Sequence, residues 1–549
     1  MKKLWCLLLT AALLLSALSA LAEVSAPGEF PICEKFGDIT LKYLVTDHPA
    51  IEDWDTNEFV RWIEEKTNVD LQFQTVPLEG RAEKLNLILA SGDYPDVFMS
   101  VGMTASMISR FGVQEGMFLP LQDLIEAQGV ETKAIFEQYP GSKGLLTQLD
   151  GNIYSMPTVN ECYHCTAANK FWINQKWLTN LGLETPTTLD EFYNVLVAFR
   201  DQDANGNGNA SDEIPFAGDY QDGWNTNGER FILNAFTYYN LDLDNTAASA
   251  MDAFGLYLED GTITVPFYKA ELKDGLKYMA KLHAEGLYYP GSYTQTLNQL
   301  TQLAENDTLG ASAGGYILFA TLGGENYRNF TYLLPLVGPN GYQNTVSFPH
   351  DSVPTTGYVL SVDCANPEAA VKIADLLYTF EASMRGYYGV YGVDWTDPDE
   401  GALGINGLPA LYKVLTPWQE AEPQNQHVVQ MCISKRDAAF RLGETSPSGV
   451  DLYSPEGLET LLYNVTAEYK PFTRDEMVIP PLKFTDAETE AMSVIKAELA
   501  TAIKEGMVAF MTGSRDADTQ FDAWVGELQA KGLDTLISMH QAAYDAQYK

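Results

Sequence analysis

The chain has 549 residues, of which 34 are Lys or Arg and 74 are Asp or Glu, so its formal charge is −40. Hydrophobic residues make up 46% and charged residues 20%, a composition typical of folded globular proteins and not of disordered chains. The acidic balance excludes nucleic-acid binding through a general excess of positive charge, and it disfavours docking on anionic membranes.

The first 22 residues have the layout of a secretory signal peptide. Lys2 and Lys3 precede an uncharged, Leu- and Ala-rich run, and Ala20-Leu21-Ala22 has the small-x-small pattern of a cleavage site. A membrane anchor is the alternative, because about 18 apolar residues is the lower limit for a span. We predict an exported protein, extracellular, at the cell surface or periplasmic, that is cleaved after Ala22. The site lacks a lipobox cysteine, so lipid anchoring has no support in the sequence.

Strand and helix patterns alternate at the start of the mature chain. They are, in chain order, strand 39–45, helix 57–66, strand 69–75, helix 81–90 and strand 96–99. This order predicts a mostly parallel sheet with helices on both faces. Ligands of open α/β sheets lie beyond the carboxyl ends of the strands, so we expect ligand contacts in the loops after Val45, which includes Asp47, and after Met99.

Cys162-Tyr163-His164-Cys165 is a CxxC segment in a chain that has six cysteines. The pattern is compatible with a local disulfide, with a redox-active pair and with half of a zinc site. The sequence contains neither a second CxxC nor an H-x₃-H pattern to complete a zinc site. For an exported protein, the pattern favours a structural disulfide between Cys162 and Cys165. The pairing of Cys33, Cys364 and Cys432 stays open.

Residues 201–213 carry oxygen-bearing side chains at alternate positions. They are Asp201, Asp203, Asn205, Asn207 and Asn209, followed by Asp212 and Glu213. Six to eight oxygens suit Ca²⁺, and this spacing is similar to the start of an EF-hand loop. The closing acid departs from that pattern, and Pro215 prevents an exiting helix. A solvated Asn/Gly turn is the alternative. We predict a structural Ca²⁺ site, and the absence of His and Cys disfavours zinc.

Three tryptophans lie in polar loops. Trp224 precedes Asn225, Trp395 follows Asp394, and Trp418 precedes a stretch rich in Gln and Asn. Sugars present flat C–H faces bordered by hydroxyls, which suit an aromatic ring with polar groups at its edge. Packing in a core is the alternative for any one tryptophan. We predict that these loop tryptophans bind a sugar.

Patterns typical of catalytic sites are weak. Gly310 to Gly314 match G-x-S-x-G, but polar, turn-like residues precede them where a nucleophile elbow needs a buried strand. The six histidines form no H-E-x-x-H, and the 74 carboxylates are too numerous to single out a glycosidase pair. We predict no enzymatic activity. Gly314, Gly315 and Tyr316 instead suit a loop whose backbone approaches a ligand.

Two capping boxes predict helix starts. Thr188 with Glu191, and Thr485 with Glu488, have the required spacing. The second predicts a long helix that ends near Gly513. Two further helical stretches follow, so the C-terminal region is predicted to be helical.

Several segments together resemble family 1 extracellular solute-binding proteins of bacterial ABC importers. The segments are 91–97 (SGDYPDV), 161–165 (ECYHC), 172–177 (WINQKW), 186–192 (PTTLDEF), 212–215 (DEIP), 366–370 (NPEAA) and 541–545 (QAAYD). The resemblance implies an α/β, two-lobed fold of the type II periplasmic-binding-protein kind. Each lobe would hold a mostly parallel sheet flanked by helices. The expected lobes are 23–160 with about 300–372, and 161–299 with about 373–549.

The resemblance also implies a function. The protein would capture an oligosaccharide between two hinged lobes and deliver it to the transmembrane subunits of an ABC importer, acting as a monomer. The alternatives are a secreted glycoside hydrolase and an extracellular sugar sensor or adhesion module. The charge disfavours an anionic ligand unless a basic patch lines the cleft.

Residue roles follow from the resemblance and the patterns above. The predicted ligand residues are Asp47, Trp172, Trp224, Asn225, Tyr316, Trp395 and Trp418. By similarity to calcium-containing alginate-binding members, the predicted Ca²⁺ ligands are Asp203, Asn205, Asn207, the carbonyl of Asn209, Asp212 and Glu213. Asp201 is the alternative first ligand.

Overall fold

The computed structural model describes residues 23–78, 80–221, 223–242, 254–348, 357–416, 423–429 and 431–549. The predicted signal peptide and Trp418 lie outside these ranges. Within them, no helix has the length and apolar character needed to cross a bilayer.

The strands are short, and most contain two to four residues. They are β1 (Thr40–Asp47), β2 (Asp70–Pro77), β3 (Val97–Met99), β4 (Val159–Asn160), β5 (Phe171–Asn174), β6 (Tyr257–Glu259), β7 (Thr262–Thr264), β8 (Ala311–Ala313), β9 (Phe330–Leu333), β10 (Tyr358–Leu360), β11 (Trp395–Thr396), β12 (Lys413–Val414) and β13 (Lys435–Arg436).

Helices dominate the rest of the described chain. They are α1 (Glu58–Thr67), α2 (Arg81–Ser91), α3 (Ala105–Met107), α4 (Gln122–Gln128), α5 (Glu131–Gln138), α6 (Pro140–Leu146), α7 (Gln175–Leu181), α8 (Leu189–Asp201), α9 (Glu229–Leu233), α10 (Ala270–Ala284), α11 (Leu297–Glu305), α12 (Pro367–Leu377), α13 (Phe380–Tyr387), α14 (Ala438–Leu442), α15 (Leu458–Tyr469), α16 (Asp486–Met511), α17 (Ala517–Ala530) and α18 (Leu533–Tyr548).

The chain divides into two compact units. The first comprises Met1–Asn160, Ser352–Asp399 and Leu411–Arg441, and the second comprises Glu161–Asp351, Glu400–Ala410 and Leu442–Lys549. The chain therefore passes between the units five times. Each unit has its own buried apolar core.

The first unit contains a four-stranded sheet in the order β10-β3-β1-β2. β1 pairs in parallel with β2 and β3, and β10 is antiparallel to β3. The predicted βαβαβ opening is therefore confirmed. Helix α1 begins at Glu58, one residue after the predicted start, and Asn57 is its N-cap, since the Asn57 side chain accepts a hydrogen bond from the Phe59 backbone nitrogen at 3.0 Å.

The second unit differs from the prediction of a mostly parallel sheet. Its three-stranded sheet has the order β8-β5-β9, and β5 is antiparallel to both neighbours. Parallel bridges occur beside it, between Ile214 and Leu309 and between Phe216 and Tyr288. The strands here have three or four residues, which is too short for alternation to reveal their pairing.

The division of the chain also differs from the predicted lobes. Residues 300–351 belong to the second unit, because β8 and β9 pair with β5. Residues 373–399 and 411–441 belong to the first unit, where β13 pairs with β4. These pairings join segments more than 100 residues apart, and no local pattern indicates them.

Both capping boxes are present. Thr188 and Glu191 begin α8, and Thr485 and Glu488 begin α16. The chain ends with helices α16, α17 and α18, as predicted. The α/β class and the helical C-terminal region are confirmed.

Candidate ligand-binding and metal sites

Trp224 forms a partly exposed aromatic surface on the second unit. The residue is 39% exposed. The indole lies against the backbone of Gly315, where an added Cβ would be only 2.1 Å from Trp224 Cε3. The Gly315 amide donates to the Trp224 carbonyl at 3.1 Å, and the His164 ring is 6.4 Å away, nearly perpendicular. A side chain at position 315 would displace the ring, so this glycine is needed for the close approach.

The side chain of Asn225, the next residue in the chain, is held by a buried arginine. Arg230 Nη1 donates to Asn225 Oδ1 at 2.7 Å, and Arg230 Nε donates to the Leu241 carbonyl at 3.1 Å. The guanidinium also forms a 3.1 Å ion pair with Asp242. Because a guanidinium only donates, it fixes the amide oxygen towards Arg230 and directs the NH₂ group away from it. Asn225 is one of the ligand residues predicted from the sequence, and Arg230 is not.

Two further buried charged groups lie near this surface. Lys170 is fully buried, and its Nζ donates to the carbonyls of His164 and Ala167 at 2.9 and 2.8 Å. Burial lowers the pKa of Lys170 to about 7. Burial also raises the pKa of Glu229 to about 7, although the Tyr220 hydroxyl donates to its carboxylate. Lys170, just before β5, and Glu229, at the start of α9, therefore both belong to the buried polar interior of the second unit.

The structure corrects the roles predicted for Trp172 and Trp395. Trp172 is 0% exposed in β5, and its Nε1 donates to the Gly314 carbonyl at 2.9 Å. Trp395 is 4% exposed and donates to the Gly389 carbonyl at 3.0 Å. Both indoles are core residues in this structure, because strand pairing and aromatic packing bury them. Tyr316 is half-buried, beside Gly315.

The first unit has a cavity of about 380 Å³ beyond the carboxyl end of β3. Six of its lining residues are Arg81, Ser100, Gly102, Asn160, Ser434 and Arg436. Ser100 has a left-handed backbone with φ of 54°, and its carbonyl accepts from Thr46 Oγ1 at 2.8 Å. The loop after β3, predicted to meet a ligand, therefore does border a cavity. Asp47 is exposed at the end of β1, and it is not among the residues that line this cavity.

The sequence prediction missed the charged residues of this cavity. Arg81 is the first residue of α2. Its position just after β2 is the only sequence signal that it lies near the edge of the sheet. Arg436 and Asn160 come together because β13 pairs with β4. Both strands have two residues, so no periodicity predicts this pair.

The acidic loop at 201–213 is tightly turned and internally hydrogen-bonded. Gly206 and Gly208 have φ of 78° and 91°, conformations that favour glycine. The amide of Gly208 donates to Asp203 Oδ2 at 2.9 Å, and the amide of Asn207 donates to Asn205 Oδ1 at 2.9 Å. Asn205 Nδ2 donates to the Asp307 carbonyl at 3.1 Å, which ties the loop to the chain before β8.

Two carboxylate oxygens of this loop are suited to bind a cation. Among the described residues, Asp203 Oδ1 and Glu213 Oε2 are buried without a hydrogen-bond partner. Burial raises the pKa of Glu213, as expected for a carboxylate removed from water without a counter-charge. Asp201 faces Arg200, whose Nε and Nη2 donate to its two oxygens at 2.7 and 3.0 Å. The donor set therefore favours Asp203 over Asp201 as the first ligand.

The CxxC segment contains a disulfide. Cys162 and Cys165 are bonded, with their Cα atoms 5.2 Å apart. Although His164 lies close enough for these three side chains to form a metal-ligand group, bonded sulfurs offer no thiolate to a metal. His164 Nδ1 is 3.3 Å from the carboxylate of Glu459. Cys33, Cys364 and Cys432 are free and buried.

The G-x-S-x-G segment is not a nucleophile elbow. Ser312 is fully buried inside β8, and its hydroxyl donates to the Ala313 carbonyl at 3.2 Å. An elbow places its serine on an exposed turn between a strand and a helix.

Comparison with known proteins identifies the family. The model of the family described as "Bacterial extracellular solute-binding protein" matches residues 41–384. The chain belongs to this family. A relative, the fructooligosaccharide ABC transporter substrate-binding protein FusA of Streptococcus pneumoniae, is 27% identical over 534 residues, which cover 94% of this chain and 91% of FusA.

Solved structures show the same fold. A solute-binding protein described as binding HMO, from Bifidobacterium longum infantis, has a TM-score of 0.76 at 23% identity and covers 93% of this chain and 99% of its own. A FusA EF-hand mutant in complex with fructo-nystose has a TM-score of 0.73 at 23% identity, covering 92% and 99%. The alginate-binding protein AlgQ2 without calcium ion has a TM-score of 0.63 at 22% identity, covering 96% and 99%.

Proposed function

We propose that this solute-binding protein binds an oligosaccharide and delivers it to the transmembrane subunits of an ABC importer. The observation that carries the proposal is the partly exposed indole of Trp224, which lies against Gly315 and is followed in the chain by Asn225, whose amide is held by Arg230. A ring bordered by a polar group suits the C–H face and hydroxyls of a sugar. The likeness to FusA supports the same ligand class.

The first unit contributes a second polar surface in this proposal. Its cavity follows β3, where ligands of α/β sheets bind. Arginine, serine and asparagine side chains there offer hydrogen bonds to hydroxyl or carboxylate oxygens.

The proposal treats the protein as a binding protein without catalysis. The family match supports a binding role, and buried Ser312 removes the G-x-S-x-G segment as a nucleophile. The predicted signal peptide would export the protein, which would act outside the cytoplasmic membrane as a monomer.

We also propose that the loop at 201–213 binds a structural Ca²⁺. The ligands would be Asp203, Asn205, Asn207, the carbonyl of Asn209, Asp212 and Glu213, and Ca²⁺ would cross-link the two ends of the loop. The buried oxygens of Asp203 and Glu213 without hydrogen-bond partners support the proposal. An EF-hand mutant of FusA, with the same fold, points to a comparable loop in that protein.

The experiment is a binding panel of the mature chain, residues 23–549, with neutral and acidic oligosaccharides by isothermal titration calorimetry. Each incubated sugar is then chromatographed. We expect saturable binding of at least one oligosaccharide and no new products. Turnover of the bound sugar would favour the glycoside hydrolase, and the absence of any binding would contradict the proposal.

A further inference from the structure

The cavity of the first unit has a basic lining in a strongly acidic protein. Two arginines, Arg81 and Arg436, line it, and none of the described residues that form its lining is Asp or Glu. The whole chain, by contrast, has 74 acidic residues and 34 basic ones. The local charge of this cavity is therefore opposite in sign to the charge of the protein.

The guanidinium of Arg81 lies against the backbone after β3. A Cβ added to Gly102 would lie 2.7 Å from Arg81 Nε and 2.8 Å from Nη2, so the guanidinium lies directly against this glycine. Arg81 Nη1 donates to Thr46 Oγ1 at 3.4 Å. Arg81 also begins α2, whose N-terminus adds partial positive charge. The planar guanidinium presents its N–H donors in a pre-organised fork, so less entropy is lost for each hydrogen bond formed.

The guanidinium of Arg436 is buried against an aromatic ring. Arg436 as a whole residue is 4% exposed, and its Cζ lies 4.5 Å from the ring centre of Tyr387. Burial lowers its pKa, and the charge of Arg441 acts in the same direction. Arg441 Nη1 in turn donates to Asn160 Oδ1 at 3.3 Å. Cationic groups with little access to water gain more from a bound anion than exposed ones do.

We propose that this cavity binds the carboxylate of an acidic sugar, so that the ligand of the protein is a carboxylate-bearing oligosaccharide. The inference rests on the proposed function and adds the class of sugar. Arginine is the side chain whose paired N–H donors match the two oxygens of a carboxylate. The cavity volume of about 380 Å³ lies in the range of small-molecule sites, about 300–1,000 Å³.

The total charge of −40 does not oppose this ligand at close range. At physiological ionic strength, charges separated by more than about 8 Å are largely screened. The carboxylate would therefore interact mainly with the nearest groups, which are the two arginines. From the sequence we expect the charge to disfavour an anionic ligand unless a basic patch is present, and the lining of this cavity is such a patch.

The test compares matched sugars. Trigalacturonate is titrated against neutral galactotriose, and sialyllactose against lactose, with a sulfated trisaccharide as a further arm. We expect the wild-type protein to bind a carboxylate-bearing sugar at least about tenfold more tightly than its neutral partner. That preference should shrink as salt is raised.

Variants then locate the preference. Arg81→Gln should weaken binding of the acidic sugar about 10- to 100-fold and of any neutral sugar less than about twofold. Arg81→Lys, which keeps the charge without the paired donors, should lie in between. Arg61→Gln removes the same charge from an exposed position on α1, in the same unit, and should leave affinity unchanged. Thermal melts confirm that each variant folds.

The outcomes separate the two claims. Tight binding of neutral sugars, with no preference for carboxylates or with equal effects of Arg81→Gln on both, overturns this inference while the proposed function stands. Preference for the sulfated trisaccharide over both carboxylates also overturns it. Failure to bind any oligosaccharide contradicts both.

Discussion

At the scale of single residues, the geometry of Trp224 and Asn225 depends on neighbouring residues that no sequence motif singles out. Gly315 allows the indole to lie on the backbone, and Arg230 sets which way the Asn225 amide points. The sequence predicted Trp224 and Asn225 because an indole in a polar loop is unusual. It could not show that Trp172 and Trp395 are core residues, since their burial depends on strands and rings distant in the chain.

Replacing Trp224 with Ala should lower oligosaccharide affinity at least about tenfold, because a central aromatic contact is lost. Trp62→Ala is the matched control, since Trp62 is a half-buried indole on α1 that stacks on Phe59 at 6.0 Å and lies outside both proposed surfaces. Calorimetry measures both affinities. Equal losses in the two variants would show that Trp224 has no specific part in binding.

Glu229 should make stability depend on pH. Its pKa is raised by burial from 4.5 to about 7, so between these values the folded state holds a proton that the unfolded chain has released. This contribution to stability is complete below pH 4.5 and is lost as the pH rises to about 7. Glu229→Gln mimics the protonated form at every pH.

Melting temperatures of the wild type and of Glu229→Gln should therefore be similar near pH 4.5. We expect the melting temperature of the wild type to fall progressively below that of the variant as the pH rises to about 7. Above that pH the difference between the two melting temperatures should be constant. Differential scanning calorimetry across this range measures the effect. If the melting temperatures of the two proteins depended on pH in the same way, Glu229 would not titrate as inferred.

At the scale of elements, the sequence predicted what is encoded locally. Long strands such as β1 and β2, and helices with capping boxes such as α8 and α16, carry their own periodicity and end signals. Short strands do not, and the pairings of β5 with β8 and β9 and of β13 with β4 were not predicted. The basic cavity was missed for the same reason.

The acidic loop is an element whose stability should depend on Ca²⁺. Chelation with EDTA should lower the melting temperature by about 2 to 4 °C, because removing a ligand present at 100 times its Kd costs about 2.7 kcal/mol and the unfolding entropy of a unit this large is high. Asp203→Asn should abolish most of this shift. Asp201→Asn makes the same charge change two residues away, where the carboxylate faces Arg200, and should preserve it.

Thermal melts with and without Ca²⁺, together with metal analysis of the purified protein, measure this effect. A melting temperature that does not respond to EDTA, in a protein free of calcium, would contradict the metal site. Equal behaviour of the two variants would contradict the choice of Asp203 as the first ligand.

At the scale of the whole molecule, two units with separate cores share one chain that passes between them five times. The sequence predicted two lobes but assigned residues 300–351 to the first, because order along the chain does not reveal which sheet a short strand joins. The family match and the solved relatives establish the fold. The candidate surfaces lie one in each unit, around Trp224 and around Arg81.

Hydrogen exchange of the mature chain, with and without a saturating oligosaccharide from the binding panel, tests the central claim most directly. The account predicts slower exchange in two regions, 224–230 with 314–316 in the second unit and 100–103 with 434–436 in the first. Protection confined to one unit, or located away from both surfaces, would contradict it.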